Sequence, residues 1–363
     1  MNRKNFFAGI AIVWTQIIFA QSIHRYLYVA TPGIRNYLEY GGHGLLVFDI
    51  DDHHSFVKRI PTSGLDSTLV PDNVKGIEVS IATQCAYITT IHTIECIDLI
   101  TEKSKWEKTL PKGCDRLSIS PDGKTLYVPS FEKEDWYILD AVTGNIKQTI
   151  SPDIKSHNTI FGMNGNEVYL EGLKSPNVLA INPNVPAKTR IIGPFSNVVR
   201  PFTINGSQTK VFVNCNDLLG FEIGDIRTGK KLATYNVKGY NQGPVKRHGC
   251  PSHGIALRPD EKEVWISDAF NQMIHVFSLD GIRATQVKSI PVREQPGWIT
   301  FTQTGDYGYP STGEVIDPKT KSIVTTLQDE NGHNVMSEKM LEIDFNNGRV
   351  VSMGDQFGLG RKK

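Results

Sequence analysis

The sequence predicts an all-β fold, a seven-bladed β-propeller of four-stranded blades closed by pairing of its N- and C-terminal strands. Three observations carry this. Short segments alternate polar and apolar residues between turn residues, which marks half-buried strands. These segments recur at a nearly constant interval along the chain. No stretch between them shows the period of an amphipathic helix.

The repeats can be taken in chain order. "KGIEVSIATQCAYITT" starts at Lys75 and "CDRLSISPDGKTLYVPS" at Cys114, the second with a Pro-Asp-Gly turn between two strands. "HNTIFGMNGNEVYLEG" follows from His157 and "RPFTINGSQTKVFVNC" from Arg200. "HGIALRPDEKEVWISD" begins at His253, "GWITFTQTGDYGYPST" at Gly297 and "KMLEIDFNNGRVVSM" at Lys339. Aligned on the first strand, the starts are Lys75, Asp115, His157, Arg200, His253, Gly297 and Lys339, at steps of 40, 42, 43, 53, 44 and 42 residues. Seven strand-rich units of about 40 residues are the signature of a propeller. A two-sheet sandwich does not require a fixed period.

Third and fourth strands follow each hairpin, as in "WYILDAVTG" with "IKQTI", or in "IHVFSLDG". The seventh unit lacks them after residue 353. The N-terminal segments "RYLYVAT", "GLLVFDID" and "FVKRIPT" read as its second, third and fourth strands. Closure of this kind removes open sheet edges. Residues 21–363 are therefore expected to form a single propeller.

The first 20 residues have a different texture. "MNRKN" is cationic, "FFAGIAIVWTQIIFA" is an apolar run of 15 residues, and "QS" follows. This is the form of a cleavable secretory signal, and the run is shorter than the roughly 20 residues that span a bilayer. A secreted or periplasmic product without an integral membrane segment is expected. Five cysteines, none in a CxxC pair, exclude a disulfide-built scaffold and a local zinc motif, and Cys85 and Cys96 read as core residues. Lys plus Arg against Asp plus Glu is 39 to 38, so no overall field attracts nucleic acid.

The hairpins "SPDGKTLYV" and "RPDEKEVWISD", with "ILDAVTGN" after the first, resemble the YVTN or YncE-like group of seven-bladed propellers. The resemblance covers residues 23–363 and implies architecture. The third and sixth units depart from it, with Met163-Asn164-Gly165 and Gln303-Thr304-Gly305 in the turn slot. The architecture is also similar to secreted lyases that cut rhamnosyl-glucuronate linkages, though no catalytic motif of that group matches residue by residue.

A propeller places the start of each innermost strand around one mouth of the central channel, and the Pro-Asp-Gly turns on the opposite face. The expected ring is Lys75, Asp115, Arg116, His157, Asn158, Arg200, His253, Trp298, Glu338 and Lys339. The segment entering the fifth unit adds Arg247 and His248. The loop "PGIRNYLEYGGHG" on the same face adds Arg35, Tyr37, Tyr40 and His43.

These residue types point to chemistry on an anion. Arg200, Arg247, His248, Lys75, Arg116 and Lys339 are candidates to bind a substrate carboxylate, with Asp115 and Glu338 pairing with Arg116 and Lys339. His253 and His157 are candidate catalytic bases, since a neutral imidazole takes up protons near neutral pH. Tyr40 or His43 would protonate a leaving oxygen. Trp298 reads either as a platform for a sugar ring or as packing between blades. His43, His157, His253 and Asp115, if they meet, offer a ligand set for a divalent metal. His53, His54 and His275 read as structural.

Two functions remain from this reading. One is an exported monomeric enzyme acting on an acidic oligo- or polysaccharide by β-elimination. The other is a non-catalytic exported propeller that binds a protein, a sugar or a metal-bearing partner. No GxSxG elbow or phosphate loop is present.

Overall fold

The computed structural model describes residues 23–362 except 66, 67, 69 and 245–248. The proposed signal segment, residues 1–20, lies outside the described residues, as do Arg247 and His248. Seven antiparallel sheets form a ring, six of four strands and one of five. Blade one runs Val74–Ser80, Cys85–Thr90, Thr93–Asp98 and Lys103–Thr109, and the next five repeat that meander. Helix among the described residues is limited to one short 3-10 turn, Leu38–Tyr40.

The closing blade is the one made by both chain ends. Its innermost meander strand, Met340–Asn346, pairs antiparallel with His24–Thr31, and Gly44–Asp49 and Ser55–Ile60 complete the sheet. The fifth strand, Arg349–Met353, pairs on the axial side of Met340–Asn346. The "KMLEIDFNNGRVVSM" hairpin thus exists, but it adds a strand instead of supplying the second one.

Alternation along each strand sends side chains to both faces of a blade, and each face is buried against a neighbour. Among the described residues the apolar core is accordingly divided into seven clusters, one at each blade–blade contact. Cys85, Tyr87 and Cys96 of blade one meet Leu126, Val128 and Leu139 of blade two, for example. Leu27, Val29 and Phe48 of the closing blade meet Tyr309 and Val315 of blade six.

Buried carboxylates tie blades together at a recurrent place. Glu95, Glu222 and Glu314, each on a third strand, accept the backbone N–H of Ser63, Ser196 and Arg293 at 2.8, 2.7 and 2.7 Å. Each of those donors lies in the segment entering that blade from the previous one. A buried N–H without such an acceptor is costly, so the device fixes the blade junctions.

After Met353 the chain turns into the channel. Gln356 Oε1 accepts the N–H of Ile77, its Nε2 donates to the carbonyl of Leu117, and its own carbonyl accepts from Trp298 Nε1. Further down, the Gly358 carbonyl accepts from Thr203 Oγ1 at 2.7 Å and from the Leu257 N–H at 2.8 Å. Gly360 donates to Ile204 and Arg361 to Pro259, which stands in an inter-strand turn. Phe357 and Leu359 pack against Val199, Phe202 and Ile204. The tail fills the lower channel beneath the mouth.

Candidate functional site at the mouth of the channel

The site is built from residues that begin the innermost strands. Contacts between non-adjacent blades prove the convergence. The guanidinium carbon of Arg116, from blade two, lies 3.3 Å from the ring centroid of Trp298, from blade six. The rings of His157 and His253, from blades three and five, have centroids 6.5 Å apart.

The charges interleave. Lys75 Nζ lies 3.9 Å from Asp115 Oδ1 and 4.8 Å from the centre of the Phe131 ring. Glu338 Oε2 takes both Lys339 Nζ, at 2.8 Å, and Arg116 Nη2, at 3.5 Å. The expected Asp115–Arg116 pairing is therefore replaced by Asp115–Lys75, because Arg116 reaches across the channel to Trp298 and Glu338. Arg200 donates from Nε to Asn216 Oδ1 at 3.0 Å.

Burial bends the acid–base properties of the group. It lowers Lys339 to about 7, against the raising effect of Glu338, with Arg116 and Lys75 adding to the depression. It lowers Arg116 to about 10 despite Glu338, Asp115 and Glu171. It raises Asp115, with Lys75, Arg116 and Lys339 opposing.

Glu171, the penultimate residue of the second strand of blade three, Val168–Gly172, is the residue that sequence reasoning missed. It is fully buried. Its Oε2 lies 3.0 Å from His157 Nδ1 and accepts from Asn158 Nδ2 at 2.8 Å. Burial pushes Glu171 up to about 8 although Arg200 and Asn158 stabilise its charge. His157 is held well below its ordinary value by burial first and then by Arg200, His253, Lys75 and Arg116. Both members are neutral at pH 7 on those directions. A charged residue closing the apolar run Val168, Tyr169, Leu170 was the available signal.

The two imidazoles are held in complementary tautomers. Asn158 Nδ2 can only donate, and it lies 2.7 Å from His157 Nδ1. That assigns Nδ1 as acceptor and places the His157 proton on Nε2, with a protonated Glu171 behind it. His253 Nδ1 lies 3.1 Å from the carbonyl oxygen of Gly297, which can only accept. His253 therefore carries its proton on Nδ1, and Nε2 is its basic atom.

Four buried polar atoms of the site have no hydrogen-bond partner among the described residues: Arg116 Nη1, Asp115 Oδ2, Asn158 Oδ1 and Glu171 Oε1. Buried groups of this kind call for water or a ligand.

Other expected site residues fall elsewhere. Trp298 is 2% exposed and covered by Arg116, so it packs the channel and offers no face to a sugar. Tyr40 lines a cavity of about 420 Å³ with Ile34, Arg35, Tyr37, Gln295 and Thr312. His43 stands just before the strand Gly44–Asp49, beside Gly64 and Arg59. Its value is lowered chiefly by burial. The set of His43, His157, His253 and Asp115 is not assembled, and the described residues hold no group of three His, Cys, Asp or Glu side chains placed to bind a metal. His54 contacts Tyr309 Oη at 2.9 Å and His275 contacts Asp268 at 3.1 Å, both as buried structural groups. No helix among the described residues is long and apolar enough to cross a membrane.

No family model matches the chain, and no curated protein matches it. Solved structures resemble it in fold. Hydrazine synthase of Kuenenia stuttgartiensis superposes with a TM-score of 0.61 at 15% identity, covering 80% of this chain and 91% of that one. The β-propeller domain of Cps50 (Swd1) from Myceliophteria thermophila gives 0.60 at 12% identity, covering 78% and 96%. Dihydro-heme d1 dehydrogenase NirN in complex with DHE gives 0.59 at 14% identity, covering 91% and 72%. At such identities these likenesses establish a β-propeller and carry no activity across to it.

Proposed function

We propose that the protein is an exported propeller that binds a uronate-bearing glycan at the mouth of the channel and cleaves it by β-elimination. The resemblance to YVTN-like propellers and to secreted rhamnosyl-glucuronate lyases supports it. The observation that carries it is the pair His253 and His157, 6.5 Å apart between ring centroids and in opposite tautomers, beside Arg200 and Arg116.

The steps use these groups in turn. Arg200 neutralises the uronate carboxylate, which acidifies the adjacent C–H. His253 Nε2 takes that proton, and the electron pair forms a carbon–carbon double bond as the C–O bond at the neighbouring carbon breaks. His157 Nε2–H protonates the departing oxygen, and Glu171 returns a proton to Nδ1. The products are an unsaturated sugar and a new hydroxyl end, with no oxidant or water consumed. Lys339 and Glu338 set the field at the rim.

The test is incubation with a panel of uronate-containing polysaccharides, followed by ultraviolet absorbance of the unsaturated product and by chromatography. Cleavage that disappears in His253→Ala while binding persists supports the proposal. Binding without cleavage of any panel member overturns the enzymatic reading and leaves a non-catalytic glycan-binding propeller. Export is checked by N-terminal sequencing of the protein recovered outside the cytoplasm, and an intact N-terminus there would overturn signal cleavage.

A further inference from the structure

We propose that the two cavities flanking Arg35 are outer subsites that hold further acidic sugars of a chain whose reacting unit sits at the mouth. This rests on the glycan reading above and adds that the ligand is a polymer gripped beyond the reacting sugar.

One cavity, of about 500 Å³, is lined by Lys75, Glu338 and Lys339 of the mouth together with Arg35, Asn73 and Phe131. The other, of about 420 Å³, continues past Arg35 to Tyr37, Tyr40, Gln295 and Thr312. Each lies within the ~300–1,000 Å³ of small-molecule sites. Arg35 lines both and so stands on the path from one to the other.

The loop is fastened so that this side chain is presented. Lys339 Nζ donates to the Gly33 carbonyl at 3.0 Å, the Val74 N–H donates to Pro32 at 3.0 Å, and Asn73 Nδ2 donates to the Arg35 carbonyl. Gly33 lies so close to the closing blade that a Cβ there would sit 1.8 Å from Ser337 Oγ. Within this clamp Arg35 has φ +48°, a left-handed conformation that a non-glycine residue keeps only where its surroundings hold it. Yet its guanidinium is exposed and forms no ion pair or side-chain hydrogen bond among the described residues.

The neighbouring acids have other partners. Asp72 bonds Thr90 Oγ1 and His92 Nδ1, Glu132 pairs with Lys155, and Glu338 with Lys339 and Arg116. Glu294 is the exception on the far wall. Arg35 therefore faces the cavities as a cation suited to bidentate capture of a second carboxylate. Tyr37, 40% exposed, meets Tyr40 edge-on at 6.1 Å and forms an apolar wall for a sugar face.

The experiment is calorimetric titration of a monouronate and of longer oligouronates into the wild type, Arg35→Ala and Tyr37→Ala. Tighter binding of the oligomers by the wild type, reduced about 10-fold or more in Arg35→Ala with the monouronate unchanged, supports the subsites. Equal affinity for all lengths, untouched by either substitution, overturns the inference and leaves the mouth as a single-sugar site. Failure of every uronate to bind the wild type overturns the glycan reading itself. Both side chains are exposed, so the variants fold, which thermal melting confirms.

Discussion

Arg116 stacks over the buried ring of Trp298 from the opposite side of the channel, 3.3 Å from guanidinium carbon to ring centroid. The same guanidinium reaches Glu338, so three blades are cross-linked through one side chain. A cation so placed, buried from solvent, gains from the π face and from the carboxylate. Arg116→Ala removes both and deprives Glu338 of a cation. The expected loss is about 3–5 kcal/mol in chemical denaturation, the range for breaking a buried pair. A loss near zero would show that Arg116 serves only ligand binding.

Glu171 gives stability a distinctive pH dependence. Its folded-state value, about 8, stands above the ordinary 4.5, so across that window the folded chain keeps a proton that the unfolded chain releases. Its contribution is full below about 4.5 and is lost as pH rises through about 8. His157 acts in the opposite sense below its ordinary 6.5, since the unfolded chain binds a proton there and the folded chain does not. The wild-type minus Glu171→Gln difference in unfolding free energy is therefore expected to decrease from pH 5 to pH 8. A flat difference would contradict the buried neutral carboxyl.

Phe357 tests the tail. It is 1% exposed among Val199, Phe202, Ile204 and Trp298. Phe357→Ala is expected to destabilise the protein by about 3–5 kcal/mol, which thermal or urea unfolding would register. A change below about 1 kcal/mol would mean that the tail is dispensable to the ring.

All five cysteines are free and buried. A thiol reagent is expected to label none rapidly in the native protein and five after denaturation. On partial unfolding Cys85 should react first. The Cys96 thiol beside it, with Thr83 and Lys105, lowers it to about 7 against burial. Rapid labelling of the folded protein would contradict the packing of the blade contacts.

The blade count was legible because the hairpin interval is a property of chain length alone, and equivalent positions of a repeat must converge in a closed ring. Asp115, His157, Arg200, His253 and Lys339 were found at the mouth by that logic. Glu171 escaped it, since it lies near the end of a second strand, and a strand alternating toward solvent would carry the same residue. Its burial depends on how closely blade three approaches the axis. "GDQFGLGRKK" shows no strand period, and only the width of the channel decides that Phe357 and Leu359 enter it. Trp298 was open between two roles because the contact that covers it comes from Arg116, four blades away in sequence. His43 and Tyr40 share the long loop with Arg35, but the strand that follows draws His43 outward.

The course of the two described chain ends has a practical corollary. His24 pairs with Phe345 at the turn side of the closing blade, and Arg361 meets Pro259 in a turn of the same side. Both of these residues lie at the base, while the cationic opening points the other way. A reporter, affinity handle or surface tether attached at His24 or Arg361 would leave that opening unobstructed, and an array immobilised through them would present every mouth to the bathing solution.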